Sequence, residues 1–369
     1  METPKNEFEI KLERARELIK KYNVDGLLLR RVSSFAWATC GAASYVNTAS
    51  SEGGSSLVIT RDIHFLTTTN IEAPRLQKEE ALEKQGWIFH ISHWSDPTTS
   101  LDKLIEGLNL VADVPYCGIK NIGDEISRLR SNFTELEIEK FRTLSVLCAE
   151  SMAAAVRLVK PGMSEFQIAA FLGKEAQMRG VQPIVNLIAT DERIFHYRHP
   201  LPTEKLLNKY ALLVLSGRKW GLVCSISRLV HFGSIPSSLL TRIEANIQVN
   251  AAFIANTFPG RTLGNIFQEG LKAYAEVGFP DEWKLHHQGG VAGYEPREYL
   301  GKPGSVDKVI VGQAIAWNPS ISGSKTEDTI LVGENSNEIL TRIPGWPEVR
   351  VKVPGINREI NCPQVLIID

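Results

Sequence analysis

The chain has 369 residues, 43% of them hydrophobic, which is enough for two folded domains with separate cores. Its formal net charge is -1 and its pI is near 6.7, with lysines and arginines scattered rather than gathered into a basic block, so nucleic acid and membrane surfaces are excluded as natural partners. No run approaches the roughly eighteen apolar residues of a membrane span, and Met1 to Arg14 is charged where a signal peptide needs an apolar core, so a cytoplasmic protein is expected.

Phe8 to Tyr22 spaces its apolar residues at helical intervals, and Asp25-Gly26 opens the run Leu27-Leu28-Leu29, which predicts a helix feeding a strand. Short apolar runs follow at Ser56 to Thr60, Phe65 to Thr68, Trp87 to Ser92 and Leu108 to Val111, the alternation of a mixed α/β domain. Past the first strand, Arg30-Arg31-Val32-Ser33-Ser34-Phe35-Ala36-Trp37 brings two charges and two aromatics out together. From Phe133 the texture changes: Thr134-Glu135-Leu136-Glu137 is a capped helix start, Leu136, Phe141, Leu144, Leu147 and Met152 are read on one side, and Pro161-Gly162 is the stop. A second helix fits Ser164 to Arg179, with Ser164 as cap and Glu165 in the first turn. The domain boundary is placed just before this pair, giving 1–132 and 133–369.

Strands are predicted at Tyr210 to Ser216, Gly221 to Val230, Trp283 to His287, Ala314 to Trp317 and Thr329 to Val332, with helices at Ser237 to Ala255 and Leu263 to Val277. Two helices followed by strands thus occur twice, as a weak symmetry. Gly289-Gly290 permits a tight bend or a close backbone approach, and no phosphate-loop pattern follows a strand. Cys40, Cys117, Cys148, Cys224 and Cys362 lie far apart, without a C-x-x-C pair, and are read as reduced core thiols.

The order of these pieces resembles the creatinase, prolidase and aminopeptidase P family. The resemblance rests on helices at 134–158 and 164–179, the loop Phe195-His196-Tyr197-Arg198-His199-Pro200-Leu201-Pro202, the hairpin Leu213 to Gly233, His286 to Tyr299 and Gly312 to Val332, and it covers nearly the whole chain. It implies an α/β chain in which a smaller mixed α/β domain precedes a C-terminal pita-bread domain, and it implies a homodimer. Trp346-Pro347 with a late strand is similar to the family's C-terminal tail.

In the family's peptidases, the resemblance implies, five side chains hold two divalent ions. Their positions fall here on Leu215, Ser225, His287 with His286 as the adjacent alternative, Asn318 and Glu327. Two dications need several anionic oxygens. One carboxylate and one imidazole remain, so neither metal nor another cofactor is expected.

Creatinase uses this fold without metal, and the resemblance therefore implies a metal-independent hydrolase of a C–N bond in a small, charged, nitrogen-containing substrate. A lyase or isomerase, a catalytically inactive binding protein and, disfavoured, a metal-dependent Xaa-Pro peptidase are the alternatives. His199, in a loop matching the family's H-x-x-P, is the expected general acid and base, because an imidazole titrating near pH 6.5 exchanges protons at neutral pH; His196 is its rival. His287, Glu327, Asn318 and Ser225 then become substrate contacts, and Arg297 a planar fork for a substrate carboxylate. Arg30 or Arg31 would add an anion contact to the partner subunit's cleft, with Phe35 or Trp37 as an apolar wall. Arg228 and His231 are read as structural.

Overall fold

Asn6 opens the first helix, Glu7–Tyr22, through a reciprocal capping box with Glu9, and Asn23 closes it in the left-handed conformation. The computed structural model describes residues 6–356 and 358–369, so the first five residues of the charged stretch Met1 to Arg14 lie outside it. By its internal contacts the chain divides into one unit that runs to Arg130 and takes in Trp220–Leu222, and a second formed by Ser131–Lys219 and Val223–Asp369.

In the first unit, Gly26–Arg31 lies inside a six-stranded mixed sheet, between Glu52–Thr60 (antiparallel) and Leu110–Ala112 (parallel). Leu27, Leu28 and Leu29 are fully buried there. The chain does not release its charges and aromatics to the surface after this strand. Val32–Ala38 is a buried helix with Phe35 and Trp37 at 0% exposure, which overturns the apolar-wall role expected for them. Asp113 fixes the change of direction by accepting the backbone N–H groups of Arg30 at 2.8 Å and Arg31 at 3.0 Å. The Arg30 guanidinium pairs with Glu52 at 3.0 Å and lies 4.4 Å over Tyr116, while Arg31 Nε donates to the Asp113 carbonyl at 3.3 Å. Both arginines are thus engaged inside their own unit.

The second unit is built twice over from a helix pair followed by antiparallel strands. Glu135–Val156 and Glu165–Met178 both begin in capping boxes, at Thr134 and Ser164, and lead to the strands Gln182–Thr190, Tyr210–Lys219 and Leu222–Phe232. Ser237–Asn256 and Leu263–Glu276 lead to Gly289–Ala292, Ala314–Trp317 and Asp328–Leu331. The late strand Leu366–Ile368 pairs parallel to Leu222–Phe232 and completes the first of these sheets. In the second core Phe253 lies 4.8 Å from Trp317, an approach that Gly270 permits, since a Cβ there would sit 2.2 Å from the Phe253 ring. Trp317 Nε1 donates to Thr257 Oγ1 at 2.9 Å, which fixes the strand end just before Asn318.

Three sequence expectations change. Leu136 is 49% exposed, because five residues of helix separate it from Phe141 and place it about 140° away around the axis. Trp283 to His287 is not a strand: Glu282–Leu285 is a 3-10 turn, and the strand begins at Gly289, where a Cβ would lie 2.1 Å from the Ala316 carbonyl. Pairing on both sides of Gly289–Ala292 needs glycines more than it needs the apolar run. Cys148, Cys224 and Cys362 are buried thiols, whereas Cys117 is exposed and Cys40 half-buried, both at turns with positive φ.

Glu165 is more than a first-turn acid. Its buried carboxylate accepts Thr190 N at 2.8 Å, Thr190 Oγ1 at 3.0 Å, Thr203 N at 3.0 Å and Thr203 Oγ1 at 2.7 Å, and it pairs with Arg193. It therefore clamps both ends of the loop 191–203. Glu165→Ala leaves Arg193 and two backbone donors without their acceptor, and should lower unfolding free energy in urea by about 3 kcal/mol. A loss under about 1 kcal/mol would show that the loop does not depend on this clamp.

His64, in the first unit, packs between Phe8 at 5.4 Å and Trp87 at 4.9 Å. Burial, aided by Arg16 and opposed by the Gln85 carbonyl, holds its imidazole below the ordinary value. The unfolded chain therefore takes up a proton near pH 6.5 that the folded unit resists. The His64 contribution to stability is complete above that pH and is lost as pH falls toward the lower folded value. Urea midpoints should decline from pH 7.5 to 5, and less steeply in His64→Gln; equal slopes in the two proteins would clear His64.

Candidate active site

Glu327 lies between the short strand Ser324–Lys325 and the strand Asp328–Leu331, in an isolated antiparallel bridge with Ser227, and is 4% exposed. A backbone bond from Ser227 N to the Glu327 carbonyl at 3.1 Å joins this segment to the Leu222–Phe232 strand. Its carboxylate accepts Ser227 Oγ at 2.6 Å and Arg297 Nη2 at 2.8 Å, with Lys325 Nζ 3.9 Å away. Arg297 Nη1 donates to the Pro296 carbonyl at 2.6 Å and to Ser225 Oγ at 3.3 Å, while its buried Nε has no partner. Both ends of the guanidinium fork are thus spent on the protein, and Arg297 is not the open carboxylate fork that the sequence suggested.

Ser225 Oγ also bonds Ser216 Oγ at 2.9 Å. Asn318 N donates to the Gln288 carbonyl at 3.0 Å, and its Oδ1 is buried without a partner. Leu215 is wholly buried and apolar. Arg228 is structural, pairing with Asp328 at 2.8 Å and donating to the Thr341 carbonyl at 2.8 Å; His231 Nδ1 lies 2.9 Å from the Gly233 carbonyl.

Beside this cluster three imidazoles meet. His199 comes from the loop that Glu165 clamps, and His286 and His287 follow the 3-10 turn. Arg198 joins the two segments by pairing with Glu282 at 2.7 Å. His286 Nε2 lies 3.0 Å from His199 Nε2, the His286 and His287 rings stack with centroids 4.3 Å apart, and one nitrogen from each ring lies within 4.8 Å of the others. His196 ends the short helix Arg193–His196, exposed, beside Tyr197. Of the two rival histidines, it is His199 that meets His286 and His287.

Burial lowers all three titrations, and Lys325 adds to it in each case. His286 falls to about 2, with the other two rings and Arg198 contributing, and His287 to about 4, where Arg297 is the largest charge and Glu327 opposes it. Burial likewise lowers Lys325 against the pull of Glu327. For Glu327, burial pushes the carboxyl up, but Lys325, Arg297 and Ser227 more than offset it and hold it below the ordinary range. At neutral pH the site offers lone pairs from three uncharged imidazoles and an internally neutralised carboxylate.

The profile of metallopeptidase family M24 matches residues 139–334. The chain belongs to that family. It is 25% identical over 297 residues to an uncharacterized peptidase of Staphylococcus saprophyticus, covering 73% of this chain and 83% of that one. It is 21% identical to the Xaa-Pro dipeptidase of Pyrococcus horikoshii, covering 90% and 97% of the two chains. Among solved structures, the Pyrococcus horikoshii prolidase superposes with a TM-score of 0.79 at 20% identity over 90% of this chain and 98% of its own. A Bacillus anthracis Xaa-Pro dipeptidase gives 0.79 at 17% identity over 98% and 100%. The mixed α/β chain with its pita-bread domain is therefore the M24 fold.

These relatives overturn the metal-independent, creatinase-like function expected above, because the proteins this chain resembles are peptidases and Xaa-Pro dipeptidases. The side chains at the five family positions still do not fit two oxygen-bound ions. Leu215 offers no donor, Ser225 and Asn318 carry no charge, and the Glu327 carboxylate already faces the Arg297 cation. Lys325 and Glu165 drew no site role from the sequence. His286 drew one only through the H-H doublet, as the alternative register for His287.

If Arg297 and Glu327 are coupled as their geometry requires, a double-mutant cycle of Arg297→Ala and Glu327→Ala in chemical denaturation should give an interaction energy of about 1–3 kcal/mol. Additive losses would place the pair in solvent-like surroundings.

Proposed function

We propose that this chain is a peptidase of short substrates, a dipeptidase acting at an amide bond next to a C-terminal residue such as proline. The observation that carries the reading is the meeting of His199, His286 and His287 beside the Arg297–Glu327–Lys325 cluster within a metallopeptidase-family domain. Arg198, Arg297 and Lys325 outnumber Glu282 and Glu327 around the three rings, an excess of basic groups that favours a substrate bearing a carboxylate. The Xaa-Pro dipeptidases among its relatives act on substrates of that class.

In this reaction water adds to the amide carbonyl carbon, the C–N bond breaks, and a proton passes to the leaving nitrogen. His286 and His287, uncharged at neutral pH, each present one acceptor nitrogen and lack the imidazolium proton of a general acid. They suit holding an electrophile or orienting the water. Asn318 Oδ1, buried and unpartnered, is an acceptor available to a substrate N–H. The homodimer and the cytoplasmic location remain part of this reading; among the described residues no helix is long and apolar enough to cross a membrane.

The test is a panel of Xaa-Pro and other dipeptides, each with zinc, manganese, cobalt or chelator, scored by release of the free amino acids. Cleavage of dipeptides, with C-terminally amidated versions poorer by about tenfold or more in kcat/KM, is expected. No cleavage of any dipeptide under any ion would sink the reading.

A further inference from the structure

We propose that His199, His286 and His287 together bind a single divalent transition-metal ion of the zinc type, at a site that shares one histidine with the five family positions and uses none of the oxygen-ligand positions. The site coincides with the one assigned above to hydrolysis, so its catalytic role rests on that reading, whereas ion binding does not.

Imidazole nitrogens select zinc, copper, nickel or iron over magnesium and calcium, and three histidines with an open fourth position form an established donor set for a zinc-type ion. Bonds of about 2.0–2.1 Å at a tetrahedral centre place donor nitrogens about 3.3 Å apart. His199 Nε2 and His286 Nε2 are 3.0 Å apart, and all three donors fall within 4.8 Å of one another, so small ring rotations bring them onto one ion.

A histidine–histidine hydrogen bond is the competing account. It uses one lone pair on one ring and gives nothing to His287, whose buried Nδ1 has no partner although the ring stacks on His286 and lies 5.7 Å from His199. A shared ion accounts for all three rings at once. The approach is also built rather than incidental: Glu165 clamps the His199 loop, and Arg198 with Glu282 and Ser322 joins it to the segment carrying the other two.

The surroundings set the strength. The Glu327 carboxylate is already paired, while Arg297 and Lys325 oppose a dication. Affinity is therefore expected on the order of 10 μM, far from the nanomolar grip of a carboxylate-rich centre. Removing the Lys325 charge should tighten binding, an effect that damage to the fold does not produce.

Chelator-treated full-length protein is titrated with zinc by calorimetry and with cobalt by visible absorption. One ion per chain is expected, with a low-symmetry cobalt spectrum of nitrogen ligation. His286→Ala and, at the exposed position, His199→Gln should each weaken binding about 100-fold or more, while Lys325→Met strengthens it about tenfold. Circular dichroism confirms folding of each variant. No binding by the native protein, two ions per chain, or binding lost in Glu327→Gln but kept in His286→Ala would overturn the proposal. Ion binding to the histidines without dipeptide cleavage refutes the dipeptidase and leaves this site standing. Cleavage that persists with the ion stripped refutes a catalytic ion while sparing the dipeptidase.

Discussion

A guanidinium and a carboxylate held away from water cannot be parted without leaving a bare charge behind. Arg297 and Glu327 are such a pair, 2.8 Å apart with side chains 11% and 5% exposed. Ser225 and Ser227 add hydrogen bonds to the two side chains, and so the pair ties the Leu222–Phe232 strand, the Pro296-Arg297 segment and the Glu327 segment into one cluster. The Glu327 carboxylate is balanced by a side chain, Arg297. Glu327 is therefore paired although Leu215, Ser225 and Asn318 are neutral.

The histidines answer to the same electrostatics. Because burial disfavours their charged forms and Lys325 stands close by, the imidazoles stay uncharged, and three uncharged rings can approach one another where three imidazolium ions would repel. Their placement is mechanical. His199 is delivered by a loop clamped at both ends on a buried glutamate, and His286 and His287 by a turn cross-linked to that loop through Arg198. A domain of metallopeptidase family M24 thus gathers three histidines beside a buried ion pair.

Much of this was readable in the chain. Capping boxes at Thr134 and Ser164, the long apolar runs at 210–216 and 221–230, and the doubled order of helices and strands are local signals, and the helices and strands follow them within a few residues. Local signals failed where backbone geometry outweighed side-chain character. Trp283 to His287 looks like a strand by hydrophobicity, yet the strand lies at Gly289–Ala292, because only glycine tolerates the neighbouring carbonyl. Phe35 and Trp37 look like an exposed patch, yet Asp113 turns the backbone and folds them into the core.

The sequence by itself determined the family architecture, the neutral side chains at Leu215, Ser225 and Asn318, and His199 and His287 as candidates, since each depends on residue type and order. The tertiary structure alone decided that Arg297 pairs with Glu327, that His286 joins the histidines, and that Glu165 clamps the loop carrying His199. These are contacts between residues 30 to 87 positions apart in the chain, and no periodicity or motif records which distant partners a fold will bring within hydrogen-bonding reach.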